Sequence, residues 1–151
     1  MTLIDLLKKL DHAIDYYDQK YLVNCGGCCI VAYYVAKQLE RRNISYECMF
    51  ITEESQHSPE QIEFTLEEKA WGEFPTGEFT CNHYCLVVGN YILNYGYDTK
   101  YSKIISPYVN AHDLKNICKH GSWNDCYDTK HNNAIRRKIN KIFKEYDNSR
   151  G

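Results

Sequence analysis

The sequence predicts an α+β domain in which a central helix packs on an antiparallel sheet, with further helices at both ends of the chain. Apolar residues recur at helical spacing over residues 3–18, and again from a start within Cys25–Cys28 to about Arg42. Between residues 79 and 95, apolar and polar residues alternate as they do in half-buried strands. These patterns fit a single domain spanning residues 1–151, a length that can bury about two-thirds of the unfolded surface.

Shorter patterns predict the remaining elements. The polar segment 53–78 contains two prolines and two glycines, which predicts a long irregular connection with at most a helical turn. Loops of this length in compact domains often carry function, so the segment is a candidate substrate-facing loop. The other predicted elements are a strand over Ser45–Thr52, a short strand near 101–106, and helices over 111–119 and 131–146.

Composition and charge restrict the class of partner and the compartment. Hydrophobic residues make up 44% of the chain and the net charge is −2, which favours neither nucleic acid nor an anionic membrane as partner. The basic run Arg136-Arg137-Lys138 is typical of a solvated helix face. The N-terminus lacks the pattern of a signal peptide, which predicts a cytoplasmic protein whose eight cysteines are mostly reduced. Abundant tyrosine, asparagine and lysine are typical of an AT-rich genome, such as that of a phage or a low-GC bacterium, so the host cytoplasm is an alternative compartment.

The start of the central helix is the most informative position in the chain. Gly26 and Gly27 precede Cys28, and an apolar helical pattern follows. Glycines let other groups approach the backbone closely, and the first turn of a helix leaves its N–H groups unsatisfied. A thiol at this position is biased toward thiolate by the helix dipole. Cys28 is therefore a candidate nucleophile.

A predicted hairpin supplies the groups that could activate this thiol. Gly89-Asn90 favours a two-residue type II′ turn, which pairs Val88 with Tyr91 and Cys85 with Asn94. In that register His83 and Asn94 are diagonal neighbours on one face of the sheet. The opposite face, with Tyr84, Leu86 and Val88, is apolar enough to form core. A helix packed on the His83 face would then bring Cys28 to the imidazole.

Two segments resemble papain-like cysteine proteases. Cys25-Gly-Gly-Cys28 followed by an apolar helix resembles their Cys-Gly-Ser-Cys-Trp-Ala-Phe segment, in which the second cysteine is the nucleophile. His83-Tyr-Cys-Leu-Val-Val-Gly is similar to their His-Ala-Val-x-x-Val-Gly strand. The resemblance implies a papain-like fold and a Cys-His-Asn triad.

The central helix is equally similar to that of transglutaminase-like proteins. Their pattern of Gly-x-Cys, alanine four residues on and leucine at eleven corresponds to Cys28, Ala32 and Leu39, although Asn43 replaces their usual glycine. Both families place a cysteine on a helix and take histidine, then asparagine or aspartate, from the following sheet. The resemblance covers residues 24–46 and 81–98.

The resemblance assigns a role to each matched residue. Cys28 would be the nucleophile, His83 the general base and acid, and Asn94 the residue that orients the imidazole. The papain-like oxyanion glutamine is replaced by Leu22. The alternatives that remain open are Asn24 or Gln19 as oxyanion donor, Cys25 as nucleophile or resolving thiol, and Asp98 as third residue.

Together these features predict a thiol-dependent acyl-transfer enzyme, a cysteine peptidase or amidase acting on a peptide or protein substrate. The mechanism requires no metal and no organic cofactor. One alternative is a non-catalytic interaction protein that keeps a papain-like scaffold. Another is a small zinc-binding protein that uses Cys25 and Cys28 with Cys81 and His83.

Overall fold

The chain forms an α+β structure, as the sequence predicts. The computed structural model describes residues 1–21, 28–53, 83–95, 101–106, 109–120 and 129–150. Among them are four helices: α1 (Leu3–Tyr21), α2 (Cys28–Arg41), α3 (Ala111–His120) and α4 (Thr129–Arg150). The same residues contain four strands: β1 (Glu47–Glu53), β2 (His83–Val88), β3 (Tyr91–Leu93) and β4 (Tyr101–Ser106). The predicted loop over 53–78 lies almost wholly outside the described residues.

The four strands form one antiparallel sheet in the order β3-β2-β1-β4. The hairpin between β2 and β3 has the predicted register, because Val88 pairs with Tyr91 and Leu86 with Leu93. Gly89 has a φ of 60°, as the first central residue of a type II′ turn requires. The predicted pairing of Cys85 with Asn94 does not form, since β3 ends at Leu93.

Capping interactions define the start of α1 and the end of α2. At the start of α1, the Thr2 Oγ1 accepts from the Asp5 N–H (3.2 Å) and the Asp5 carboxylate accepts from the Thr2 N–H (2.9 Å). α1 continues to Tyr21, three residues beyond the predicted end. α2 ends with Asn43 in the left-handed conformation, φ 56°, and the Ile44 N–H bonds back to the Leu39 carbonyl.

All four helices contribute to one apolar core on a single face of the sheet. Leu86, Val88 and Leu93 supply the sheet side of this core. The helices supply apolar side chains that are almost fully buried, among them Leu10, Ile14, Val31, Val35, Leu39, Leu114, Ile139 and Phe143. The helices therefore cover the apolar face that the alternation of β2 predicts.

The expectation that α2 packs on the His83 face is wrong. The apolar stripe of α2 shares its core cluster with Tyr84, Leu86 and Val88, whereas Met49 and Cys85 form a separate cluster with Val87 and Ile92 on the other face. The physical reason is that a helix with a wide apolar stripe gains most by covering the more apolar face. His83 is the first residue of β2, so its contacts depend on which residues lie at that end of the strand.

α2 and α4 are joined by a polar cluster beside the core. The Arg42 guanidinium donates to both carboxylate oxygens of Asp147 at 2.8 and 2.6 Å and lies over the Phe143 ring at 4.7 Å. It also donates to the side chain of buried Gln38, whose amide in turn donates to Asn140. The hydrogen bonds from Arg42, together with its charge, lower the pKa of Asp147. None of the helices in the described ranges is long and apolar enough to cross a membrane.

Candidate active site at the start of β2

His83 is the buried polar residue on which the candidate site depends. It is 1% exposed, and its Nε2 lies 2.6 Å from the carbonyl oxygen of Asn94. The hairpin explains this contact, since a two-residue turn brings the start of β2 beside the end of β3. The predicted proximity of His83 and Asn94 is therefore observed. The contact is made by the backbone of Asn94, whereas the resemblance implies its side chain.

This contact determines which ring nitrogen can act as a base. A carbonyl oxygen only accepts hydrogen bonds, so the Nε2 of His83 must carry the proton and donate it. In the neutral ring the lone pair then belongs to Nδ1, which is buried as well. The Asn94 carbonyl thereby selects the tautomer in which Nδ1 is basic.

Burial lowers the pKa of His83, because an imidazolium is poorly stabilised away from water. The hydrogen bond to Asn94 and the negative charge of Asp18 oppose this shift. Burial therefore favours the neutral form of the imidazole. A neutral imidazole can accept a proton, as a general base must.

Asn94 adopts a conformation that is unusual for a residue with a side chain, with a φ of 62°. Its N–H donates to Oδ1 of Asp11 in α1 at 2.7 Å. The second carboxylate oxygen of Asp11 accepts from the Tyr91 hydroxyl at 2.5 Å. Burial, together with this carboxylate, raises the pKa of Tyr91 to about 12. One carboxylate therefore binds the first residue of β3 and the residue that follows its last.

The first turns of α2 lie at the same end of β2 as His83. Val31, Ala32 and Val35 line a small internal gap, about 10 Å³, together with Ile14, Tyr84, Cys85, Leu86, Leu93 and Asn94. Cys28 begins the same helix, three residues before Val31. This start lies within the range Cys25–Cys28 that the sequence predicts.

Several predicted site residues fall outside the described residues, namely Asn24, Cys25, Cys81 and Asp98. Gln19 lies within α1, because the helix continues past the predicted break at Asp18. It is exposed, and its amide donates to Asp15 at 3.1 Å, one turn earlier. That amide is held by its own helix, so nothing in its geometry supports a role as oxyanion donor.

The zinc alternative gains no support from the described part of the chain. No group of three or more histidine, cysteine or acidic residues there has a geometry that could hold a metal ion. The Nε2 of His83, one of the proposed ligands, is occupied by the Asn94 carbonyl. Comparisons with protein-family models, with curated proteins and with solved structures find no match to this chain.

Sequence reasoning missed Asp11, and the pattern of α1 contains the signal that could have identified it. Asp11 lies four residues after Leu7 and three before Ile14, both fully buried. That spacing puts a carboxylate on the margin of the apolar stripe, where it becomes partly buried and needs hydrogen-bond donors. An ionisable residue at such a position predicts a specific partner.

Proposed function

We propose that this chain is a thiol-dependent acyl-transfer enzyme of the papain-like or transglutaminase-like kind. Cys28 is its nucleophile and His83 its general base and acid. The substrate is a peptide or protein amide: a peptide bond, an isopeptide bond or a glutamine side chain. The observation that carries the proposal is the buried His83, whose Nε2 is held by the Asn94 carbonyl and whose Nδ1 is left as the basic nitrogen.

The position of α2 supports the pairing of Cys28 with His83. α2 begins at Cys28, and Val31, Ala32 and Val35 of the same helix pack beside Tyr84 and Asn94, the residues adjacent to His83 in the sequence and in the hairpin. A thiol at the first position of a helix is biased toward thiolate by the dipole and the unsatisfied N–H groups. The same N–H groups are suited to stabilise an oxyanion.

The reaction follows from these roles. Nδ1 of His83 takes the proton of the Cys28 thiol, and the sulfur attacks the amide carbonyl carbon and forms an S–C bond. Nδ1 then passes that proton to the leaving nitrogen as the C–N bond breaks. The amine or ammonia departs and a thioester remains. Water or an acceptor amine then attacks the thioester, gives its proton to Nδ1, and releases the Cys28 thiol as the S–C bond breaks.

The test is the pH dependence of alkylation by iodoacetamide, mapped to each cysteine by mass spectrometry. Cys28 should react fastest, with a midpoint well below the value of about 8.5 that a free thiol shows. The midpoint should move toward that value in His83→Gln. His12→Gln is the matched control, because His12 is an exposed histidine on α1.

Cys29→Ala is the second control, since it removes the neighbouring cysteine of the same helix. It should leave the reactivity of Cys28 unchanged and should retain amine or ammonia release from peptide amides, which Cys28→Ala should abolish. If all eight cysteines react slowly and alike, the proposal is wrong.

A further inference from the structure

We infer that Asp11 is a positioning residue for His83, acting through the backbone of Asn94. The inference rests on the proposed acyl-transfer function and deepens it, since it concerns how the base of that same site is controlled. Asp11 makes no hydrogen bond to His83 among the contacts of the described residues. It binds the N–H of Asn94, and the carbonyl of that same residue holds the His83 ring.

The geometry forms a chain of two hydrogen bonds. The Asp11 carboxylate accepts from the Asn94 N–H at 2.7 Å, and the Asn94 carbonyl accepts from Nε2 of His83 at 2.6 Å. The first bond has a charged acceptor, which makes it stronger than a bond between neutral groups. It comes from a different element, the helix α1, so it ties the end of β3 to the helical layer.

The conformation of Asn94 explains why such an anchor is needed. A residue with a side chain occupies the left-handed region only at an energetic cost, and the surrounding structure must supply the difference. β3 ends at Leu93, so the described ladder does not extend to Asn94. Asp11 binds the Asn94 N–H instead and thereby determines where its carbonyl points.

The consequence is control of the His83 tautomer. With Asn94 anchored, Nε2–H has an acceptor and Nδ1 keeps the lone pair. Without the anchor, Asn94 can relax toward an ordinary conformation and its carbonyl can leave the ring. The imidazole then loses the hydrogen bond that favours one tautomer, and a smaller fraction of molecules presents a basic Nδ1 toward the thiol.

The experiment measures the ring directly by nitrogen NMR in the full chain, at a pH where His83 is neutral. His83→Gln assigns its signals. The expected wild-type result is a predominant Nε2–H tautomer whose N–H exchanges slowly with water. Asp11→Ala should mix the two tautomers and accelerate this exchange about tenfold, the effect of losing one hydrogen bond to a charged group.

Two further variants separate positioning from a general loss of structure. Asp15→Ala, on the same helix, removes an exposed carboxylate that bonds Gln19 and should leave the ring unchanged. Asp11→Asn should restore most of the wild-type tautomer, because its amide oxygen can still accept from Asn94. Tyr91→Phe removes the other bond of Asp11 and should also leave the ring unchanged.

If the tautomer ratio of His83 and the exchange rate of its N–H in Asp11→Ala match those of the wild type, the inference is wrong. An acceleration of about tenfold over the wild type in Tyr91→Phe would overturn it too, since the effect would then come from loosening β3 as a whole. This comparison uses the wild type alone and holds even if Asp11→Ala does not fold. The pH profile of Cys28 alkylation reports separately on the acyl-transfer proposal. A slow Cys28 with an Asp11-dependent ring would refute that function and leave the anchoring of His83 intact.

Discussion

Substitution of Asn94 separates the two ways in which this residue could hold the imidazole. The family resemblance implies that the side-chain amide orients the histidine, whereas the structure shows the backbone carbonyl at 2.6 Å from Nε2. Asn94→Gly removes the amide and permits the same backbone conformation. Asn94→Ala also removes the amide but resists that conformation.

The magnitude follows from the φ of 62°. A left-handed backbone costs an ordinary L-residue about 1–2 kcal/mol, less for asparagine and nothing for glycine. Asn94→Ala should therefore lower the free energy of unfolding by about 1 kcal/mol, or Tm by about 2–4 °C for a chain of this size. Asn94→Gly should remain within about 0.5 kcal/mol of the wild type, because relief in the folded state offsets the added freedom of the unfolded chain.

The assay combines thermal unfolding, followed by circular dichroism, with the rate and pH midpoint of Cys28 alkylation. Asn94→Gly should keep both the wild-type rate and the wild-type midpoint, since its carbonyl still accepts from His83. In Asn94→Ala, Cys28 should be alkylated more slowly, and the pH midpoint should move toward that of His83→Gln. If Asn94→Gly slows Cys28 as much as His83→Gln does, while Tm is unchanged, the side-chain amide holds the ring and the backbone argument is refuted.

Three further predictions concern stability. Arg42→Ala removes the two hydrogen bonds to Asp147 and should cost about 1 kcal/mol in chemical denaturation, with Arg42→Lys intermediate because a single ammonium cannot reproduce the paired geometry. Phe143→Ala should cost about 3–5 kcal/mol in the same assay, because the ring is fully buried in the core. The lowered pKa of His83 means that the unfolded chain binds more protons than the folded one below about pH 6.5, so stability should fall as pH falls through this range. His83→Gln should reduce that slope, measured as the difference in unfolding free energy across the range; an unchanged slope would mean that His83 is not the group responsible.

The elements and the hairpin register were predictable because their determinants are local. Gly89 and Asn90 define the turn, and the turn alone pairs Val88 with Tyr91. The helices follow from apolar periodicity, and the glycines limit the start of α2 to the range Cys25–Cys28, within which it begins at Cys28. The ends were less predictable, since α1 continues through polar residues to Tyr21.

The face on which α2 packs was not predictable in the same way. Alternation along β2 correctly separates Tyr84, Leu86 and Val88 from Cys85 and Val87. Alternation does not say which face a helix will cover. The expected contact between Cys28 and His83 suggested the His83 face, which is wrong. The apolar areas of the two faces decide this, because the free energy gained on burial is proportional to the apolar area removed from water. It does not depend on which catalytic groups the packing brings together.

Asp11 shows why the remaining part of the site needed a structure. Its partner Asn94 is 83 residues away, and no local pattern specifies which donor a partly buried carboxylate will find. Yet each half of the pair leaves a trace in the sequence: a carboxylate on the margin of an apolar stripe, and an asparagine, which tolerates the left-handed region, at a strand end. The Asp11 carboxylate needs hydrogen-bond donors, and Asn94 needs a contact that stabilises its backbone conformation. The fold satisfies both with a single contact, and in doing so it directs the Asn94 carbonyl at the Nε2 of His83.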